Sequence, residues 1–475
     1  MLRSWLIVTC LFGSSSAWSI SQPTQPNIIL IFADDLGYGD LGCFGAEGFE
    51  TPNLDRIAEN GIKLTSFYVA AAGCAPSRAA LLTGCYPPRV GGGGGSPGSR
   101  NGLHPNEVTL AEMLKRAGYQ TAIVGKWHQG WSHEMLPLQQ GFDSYYGLPY
   151  SHDMSHTHAT RPEGYPPLPL IRDNEVIELN PDQSRLTSNY TREAIEVIHK
   201  SKDKPFFLYL CHNMPHVPLF LPQKHRGKTE RGLFGDVVRE IDLGVGKIVD
   251  TLKELKIYDN TLIIFTSDNG PWLSYGDHGG SAGPLREGKG TTFEGGMREP
   301  CVMQWPARIP KGLVCDAIVG TIDFMPTLAN IAGGQIPTDR IIDGKDITAI
   351  LEGNTVDSPH EAYYYYGGAD LQAVRSGPWK LHFPHKYRAG TGPSPSHGIP
   401  VPYHYPEIGL SLFNLEDDIG ETDNVLNQQP EVVNRLTGLA DKMRTDIGDG
   451  RLKIKGENNR PLGVMSEESF KGRRW

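Results

Sequence analysis

The chain has 475 residues, of which 39% are hydrophobic and 21% charged, and its formal net charge at pH 7 is −9. This composition permits a large buried core and excludes an intrinsically disordered chain. The excess of acidic residues excludes a basic footprint for nucleic acid over the protein as a whole. An anionic ligand would therefore need a local cluster of positive charge.

The N-terminus has a charged start, Met-Leu-Arg, then an apolar run at residues 5–12 and small residues up to Ala17. This order is typical of a secretory signal peptide, and the apolar run is too short to span a bilayer. We predict that residues 1–19 are a signal peptide. The protein would then be exported, to the periplasm, the medium or a lysosome-like compartment. A buried first strand is the alternative, which the better strand pattern from Pro26 disfavours.

Continuous apolar runs predict strands that are buried on both faces, and helical patterns lie between them. The strand runs are at residues 27–32, 120–124, 205–211 and 260–266. The helical patterns are at residues 106–117, 188–200 and 237–255. Their alternation predicts an α/β fold with a large, mixed and mostly parallel sheet between layers of helices.

The pattern changes after about residue 355, where short strand patterns precede one helix pattern. These strands are at residues 362–366, 371–375, 379–383 and 411–414, and the helix is at 430–444. They predict a smaller C-terminal α+β domain with an antiparallel sheet. We place a catalytic domain at residues 20–355 and the smaller domain at 356–475, with a loosely held polar tail from residue 446.

Polar side chains follow two of the predicted parallel strands. Asp34 and Asp35 end the first strand, and Asp268 and Asn269 follow the strand at 260–266. Ligands of such sheets bind beyond the carboxyl ends of the strands. Oxygen donors without a Cys/His cluster suit Ca²⁺, the ion we predict, or Mg²⁺, rather than zinc. Turn capping explains any one of these residues, but their recurrence at two strand ends favours a metal site.

Residues 74–84 read Cys-Ala-Pro-Ser-Arg-Ala-Ala-Leu-Leu-Thr-Gly. Pro76 fits a first helical turn and Gly84 a helix stop, so Cys74 is predicted just before a helix N-terminus. Unpaired N–H groups and the helix dipole favour negative charge there, and Arg78 is one turn further on. A lone cysteine at such a place is usually inert, but these neighbours are unusual.

The Cys74-x-Pro-Ser-Arg78 segment and the Ala-Ala-Leu-Leu-Thr-Gly that follows it closely resemble the signature of the type I sulfatases. Further blocks resemble that family in the same order, at residues 27–40, 51–58, 125–128, 212–218, 267–271 and 288–300. The resemblance extends from about residue 26 to 445 and is closest to the arylsulfatase A and galactosamine-6-sulfatase branch. It implies an alkaline-phosphatase-like fold and hydrolysis of a carbohydrate or aryl sulfate monoester.

In this family the signature cysteine is oxidised to formylglycine by a dedicated maturing enzyme, and the hydrated aldehyde is the nucleophile. The resemblance thus implies that Cys74 is modified and that Arg78 holds the hydrate, with His128 as its base. One hydroxyl attacks sulfur and releases the alcohol, and the second expels sulfate. The resemblance implies that the metal ligands are Asp34, Asp35, Cys74, Asp268 and Asn269.

The resemblance also implies the groups on the substrate side. Positive charge aimed at the sulfate oxygens should be the dominant catalytic effect, and the implied candidates are Lys126, His216 and Lys289. Either His216 or Lys289 would protonate the leaving alcohol. Weaker similarity extends to a polar segment with Ser151 and Asp153.

Substrate choice is expected to depend on the loops at residues 129–185 and 384–408. These loops carry tyrosines that could stack on sugar rings or simply pack against the surface: Tyr145, Tyr146, Tyr150, Tyr165, Tyr387, Tyr403 and Tyr405. His212 is a candidate for indirect support of the site.

The six cysteines that follow Cys10 are scattered and include no Cys-x-x-Cys pair, which excludes a zinc cluster and a disulfide-dense scaffold. A bridge between Cys301 and Cys315 stays open. Cys85 stands where the family often has arginine, next to the modified segment.

Two rival functions follow from the same residues. A phosphate or phosphonate monoester hydrolase would use the same scaffold, although the full sulfatase signature favours sulfate. A non-catalytic binder of sulfated polymers would result if Cys74 stays a thiol, but such a binder need not keep Lys126, His128, His216 and Lys289. The particular ester and the oligomeric state stay open.

Overall fold

The computed structural model describes residues 25–391 and 396–472, so the predicted signal peptide lies outside the described residues. Ten strands form one large sheet. From edge to edge they are Leu313–Cys315, Ile62–Leu64, Cys301–Gln304, Thr261–Ser267, Asn27–Ala33, Phe206–Cys211, Gln120–Lys126, Ser144–Leu148, Pro169–Arg172 and Glu175–Leu179. Each of the four predicted runs corresponds to one of these strands.

The centre of the sheet is parallel, and antiparallel strands lie on both sides of it. Asn27–Ala33 lies between Thr261–Ser267 and Phe206–Cys211, with Ala33 opposite Ser267 and Phe32 opposite Cys211. The carboxyl ends of these strands are therefore level, and the residues that follow them share one edge of the sheet.

Helices cover both faces, because alternate side chains of the buried strands enter two different cores. Ile29 and Ile31 belong to one core, and Ile28, Leu30 and Phe32 to the other. The helices outside the C-terminal region are Pro52–Glu59, Cys74–Thr83, Leu110–Arg116, Leu186–Ser201, Gly232–Glu254, Glu294–Met297, Phe324–Ala332 and Thr348–Leu351. The predicted α/β class with a mostly parallel sheet is confirmed.

One predicted helix starts later than its apolar pattern. Thr109 and Glu112 form a reciprocal capping box, so the helix begins at Leu110 rather than near residue 106. No described helix has both the length and the apolar character needed to cross a bilayer.

The C-terminal region has its own four-stranded antiparallel sheet and a long helix. The strand order is Tyr363–Gly367, Asp370–Ser376, Trp379–His382 and Ser411–Asn414. The helix Pro430–Asp446 contributes Leu436 and Leu439 to the core of this sheet. A smaller domain with an antiparallel sheet is thus present, as predicted.

The tail after residue 446 is not loosely held, so that prediction is wrong. Gly463–Val464 pairs with Asn101–Gly102, and Met465 is buried in the core of the larger domain. Arg460 also donates to Glu107 at 2.7 Å. Backbone pairing and an ion pair thus hold a segment that has few apolar residues to pack into the core. A short final helix, Glu467–Gly472, follows it.

Buried charges join the smaller domain to the larger one. The Glu294 carboxylate accepts hydrogen bonds from Lys380 at 2.9 Å and from the Tyr365 hydroxyl at 3.1 Å. The Glu294 backbone N–H in turn donates to the Glu421 carboxylate at 2.7 Å. Although burial raises the pKa of Glu294, Lys380 and its arginine neighbours outweigh that effect and hold it well below the usual range.

The six described cysteines are free thiols. Cys301 and Cys315 both lie opposite Leu64, in strands on either side of it. They are therefore about 9–10 Å apart, two strand spacings. This separation is too large for a disulfide, so the bridge left open by the sequence does not form.

Candidate active site

The aligned strand ends bring together the two predicted acidic pairs. The Asn269 amide donates to Asp35 Oδ1 at 2.7 Å, and the Asp35 backbone N–H donates to Asp268 Oδ1 at 3.2 Å. Adjacent residues of an extended strand point to opposite faces. Asp35 has φ 64°, in the left-handed region, so the strand ends there, and both Asp34 and Asp35 contribute to one cluster.

Cys74 is the first residue of the helix Cys74–Thr83, with Gly73 as its N-cap. The helix ends at Gly84, which has φ 69°, as the glycine stop predicts. The Cys74 Sγ atom lies 4.0 Å from Asp35 Oδ1. The N-terminus of a buried helix therefore delivers this side chain to the acidic pairs.

Three cations, those of Lys126, Lys289 and Arg78, surround the carboxylates of the acidic pairs. Lys126 Nζ is 2.5 Å from Asp34 Oδ2, and Lys289 Nζ lies 2.5 and 2.7 Å from the two Asp35 oxygens. Lys289 Nζ is also 3.3 Å from Cys74 Sγ. Both predicted lysines therefore lie close to the N-terminus of the helix that begins at Cys74.

Arg78 pairs with the third carboxylate. Its guanidinium donates to Asp268 Oδ2 at 3.0 and 2.7 Å and to the Lys126 carbonyl at 3.0 Å. Arg78, Asp268 and Lys126 are fully buried. A buried charge without a counter-charge would destabilise the fold, so the positive and negative side chains of the cluster stabilise one another by pairing.

Burial and charge set the protonation states in the cluster. Burial would raise the pKa of Asp34, but Lys126, His216 and Arg78 outweigh it and hold the pKa well below its usual value. Burial raises the pKa of the Cys74 thiol, and the negative charge of Asp34 adds to the effect. The carboxylate stays ionised, whereas the thiol stays protonated at neutral pH.

The residues fit a hard divalent cation. Asp34 Oδ1 and Asn269 Oδ1 are buried and have no hydrogen-bond partner among the described residues. Leaving such acceptors unpaired is unfavourable, and oxygen donors are the ones that Ca²⁺ or Mg²⁺ prefers. Asp34, Asp35, Cys74 and His216 each offer a possible ligand atom, and these four atoms lie within 4.8 Å of one another. Asp268 and Asn269 contact this group through Asp35.

His128 follows the strand Gln120–Lys126 and is buried, with φ 60°. Its Nδ1 has no hydrogen-bond partner within residues 25–391 and 396–472. Burial lowers the pKa of His128 well below its usual value, and the charges of Lys126 and Arg78 lower it further. A neutral imidazole with a free ring nitrogen can accept a proton.

The remaining predicted substrate-side residues lie beside Lys126 and His216. The hydroxyl of Ser151 accepts a hydrogen bond from Lys126 Nζ at 3.2 Å. His216 Nε2 lies 3.6 Å from Asp35 Oδ2. Burial raises the pKa of Asp153, but His216 and His152 outweigh it and bring the value to about 2. Asp153 is therefore a negative neighbour of His216 rather than a member of the acidic cluster.

The sequence analysis missed Trp272, which forms one wall of the site. Its ring centroid is 5.3 Å from that of His216 and 4.4 Å from Lys289 Nζ. Trp272 comes directly after the Ser-Asp-Asn-Gly-Pro block, so its position in the sequence could have identified it. His152, between Ser151 and Asp153, is also buried, and its ring lies 5.4 Å from that of His216.

Three of the tyrosines that the sequence offered for stacking on sugars or for surface packing are core residues. Tyr145, Tyr146 and Tyr150 are buried in the two cores of the large sheet, so that interpretation is wrong for them. Tyr146 and Tyr150 lie in one of these cores and Tyr145 in the other. Tyr403, by contrast, places its hydroxyl 2.5 Å from the indole nitrogen of Trp272, beside the site.

His212 makes the free energy of unfolding depend on pH. It is 1% exposed, and burial lowers its pKa to about 4, against about 6.5 in an unfolded chain. As pH falls from about 6.5 to 4, His212 becomes protonated in the unfolded chain but stays neutral in the folded chain. About 3 kcal/mol of the free energy of unfolding is therefore lost over this range. We expect His212→Gln to remove this loss, as measured by urea unfolding between pH 7 and 4.

The exposed His199 offers the matched control, His199→Gln. Parallel pH profiles for His212→Gln and the parent protein would contradict the prediction.

Comparison with known proteins agrees with this architecture and covers both domains. The profile of the family described as Sulfatase matches residues 26–334, and that of the C-terminal region of aryl-sulfatase matches residues 358–466. The N-acetylgalactosamine-6-sulfatase of Canis lupus familiaris is 43% identical, over 80% of this chain and 75% of its own. Arylsulfatase A of Bos taurus is 40% identical, over 88% and 86%.

A solved structure is also similar over almost the whole chain. The PsFucS1 sulfatase from Pseudoalteromonas sp. superposes with a TM-score of 0.81 at 30% identity, over 92% of each chain. The resemblance seen in the sequence motifs thus extends to full-length relatives and to the three-dimensional fold. The chain belongs to the sulfatase family, the hydrolases of sulfate esters.

Proposed function

We propose that Cys74 is converted to formylglycine by a maturing enzyme and that this chain hydrolyses a carbohydrate sulfate monoester there, with Ca²⁺ bound. The observation that carries the proposal is the placement of Cys74 at a helix N-terminus, in contact with Asp35 and Lys289. The metal ligands would be Asp34, Asp35, Asp268, Asn269 and the modified residue 74.

The state of the thiol supports modification of Cys74. A thiolate is the reactive form of cysteine, and before a cation binds, burial and the charge of Asp34 raise the pKa of Cys74 and oppose formation of the thiolate. Formylglycine would instead supply a hydrated aldehyde whose hydroxyl is the nucleophile. A protonated thiol has no comparable reactivity toward a sulfate ester.

The charge balance of the site supports an anionic substrate. Three carboxylates, Asp34, Asp35 and Asp268, face three cations, Arg78, Lys126 and Lys289. A bound divalent cation would supply Lewis-acid charge and leave the site with an excess of positive charge. Lys126 and Lys289 would then be available to the sulfate oxygens, where preorganised charge stabilises the transition state most.

Four side chains would orient groups or move protons. The Arg78 guanidinium is fixed by Asp268 and by the Lys126 carbonyl, so it can hold the nucleophile in one geometry. Neutral His128 would accept the proton of the nucleophile. His216, with Asp35 and Asp153 nearby, and Lys289 are the two candidates for the acid that protonates the leaving alcohol.

The relatives support the substrate class and the domain roles. One relative is named for a sulfated amino sugar and the other for aryl sulfates, and both match most of this chain. We assign catalysis to residues 20–355 and substrate selection in part to residues 356–475. Residues 1–19 would direct export of the protein to a compartment in which such esters are accessible.

The proposal is tested by the mass of one tryptic peptide. Cleavage after Lys63 and Arg78 releases residues 64–78, which include Cys74. In the active protein we expect this peptide to have lost sulfur and two hydrogens and gained one oxygen. An unmodified peptide from a preparation that hydrolyses aryl sulfate, or a preference for aryl phosphate over aryl sulfate, would contradict the proposal.

A further inference from the structure

An open cleft of about 390 Å³ leads away from the candidate active site. Its near end includes Gly73 and Gly290, the chain neighbours of Cys74 and Lys289. Its far wall comes from the smaller domain and includes Tyr366, Lys386 and Arg388. A substrate held at Cys74 would therefore extend along this cleft.

The cleft is positively charged, although the protein as a whole is acidic. Its lining includes Lys386 and Arg388 and no aspartate or glutamate, whereas the chain carries a net charge of −9. Glu407 lies opposite Lys386 in the strand pair His385–Lys386 with Glu407–Ile408, but it is not part of the lining. Such a local reversal of charge favours an anionic occupant.

Arg388 is held rigidly at the junction between the cleft and the active site. One guanidinium nitrogen, Nη2, donates to the Lys289 carbonyl at 2.5 Å. The guanidinium carbon lies 4.7 Å from the Tyr403 ring centroid and 5.4 Å from that of Trp272. Within the described parts of the chain no carboxylate forms an ion pair with Arg388 or Lys386. Arg388, which these contacts fix in place, and Lys386, which is exposed, are therefore both available to bind an anionic ligand.

The cleft is longer than a single ester group requires. It continues into a second cavity of about 440 Å³, and the two share Ala71, Pro76, Tyr366 and Gly368. Tyr405, which is 62% exposed, offers an aromatic surface at the cleft wall. These dimensions and this lining suit an oligosaccharide better than a small aryl sulfate.

We propose that Lys386 and Arg388 form an anion-binding subsite for a second charged group, on the sugar next to the one that carries the scissile sulfate. The substrate class would then be an anionic oligosaccharide with a carboxylate or a further sulfate at that position. This inference rests on the proposed function, because it presumes that the ester is cleaved at residue 74.

The test compares three disaccharides that share one sulfated sugar. Their second sugar is neutral, carries a carboxylate or carries a second sulfate. At low ionic strength we expect kcat/KM to be about tenfold higher for at least one charged form than for the neutral form. The advantage should shrink as salt is added. Whichever charged form gains more identifies the natural anion.

The variant Lys386→Met is expected to reduce this ratio roughly three- to tenfold, since one of the two cations is removed. Lys311→Met, at an exposed lysine outside the cleft, is the matched control and should keep the parent's ratio. Equal kcat/KM for the neutral and both charged disaccharides would overturn the subsite and leave the proposed function intact. Failure to hydrolyse any of the three, together with failure to hydrolyse an aryl sulfate, would contradict the proposed function itself.

Discussion

The variant Cys74→Ala is expected to lose turnover of sulfate esters by about 10⁴-fold or more while it remains folded, because removal of a covalent nucleophile eliminates the main reaction path. Cys74 lies at the first position of its helix, and the helix core is formed by residues such as Leu81 and Leu82. Loss of one small side chain there should cost little stability. Kinetics on an aryl sulfate and the melting temperature measure the two effects.

Cys85, at the other end of the same segment, provides the matched control. It is fully buried, its Sγ accepts from Arg460 at 3.3 Å, and burial raises the pKa of its thiol to about 11. This environment indicates a packed thiol, so Cys85→Ala should keep its turnover. Activity of Cys74→Ala within tenfold of the parent, or equal losses in both variants, would contradict the assignment of residue 74 as nucleophile.

Removal of divalent cations is expected to reduce turnover by about 10³-fold, and added Ca²⁺ should restore it better than Mg²⁺. Lys126 Nζ and Lys289 Nζ lie 2.5 Å from carboxylate oxygens of Asp34 and Asp35, respectively, and should stay paired with them when no cation competes for those oxygens. The lysines would then be neutralised and unavailable to the sulfate. Because these pairs compensate the buried carboxylates, the chelated protein should stay folded, which circular dichroism can verify.

A variant of one proposed ligand sharpens this experiment. Asp34→Asn should raise the Ca²⁺ concentration for half-maximal activity at least about tenfold, because a charged oxygen ligand is lost. Asp203→Asn, at a side chain that is 84% exposed, is the control and should not change it. Full turnover in the presence of a strong chelator would eliminate the metal from the mechanism.

Local sequence determined the central strands well and the surroundings of the site poorly. The run at residues 28–32 is apolar at every position, as expected of a strand buried on both faces, and so the edge with Asp34 and Asp35 was predictable. By contrast, Lys126 pairs with Asp34 across 92 residues of chain, and Lys289 pairs with Asp35 across 254 residues. No local sequence pattern predicts which lysine pairs with which aspartate.

The wrong interpretations have the same origin. Tyr145 and Tyr146 lie in a segment that was interpreted as a loop, but they belong to the strand Ser144–Leu148 and are buried in the two cores of the large sheet. The tail around Gly463–Val464 has a polar composition, yet it is anchored by backbone pairing that no side-chain pattern encodes. Burial of both segments is decided by partners that are distant in sequence.

The buried Glu294 has a consequence for how this enzyme could be divided or remodelled. The segment that carries Lys289 also carries Glu294, whose charge is neutralised by Lys380 from the C-terminal sheet. A fragment that ended at residue 355 would lose this counter-charge and would expose a carboxylate that is now fully enclosed. Expression of the first 355 residues alone should therefore disturb the segment that positions Lys289, whereas the full chain keeps that segment in place.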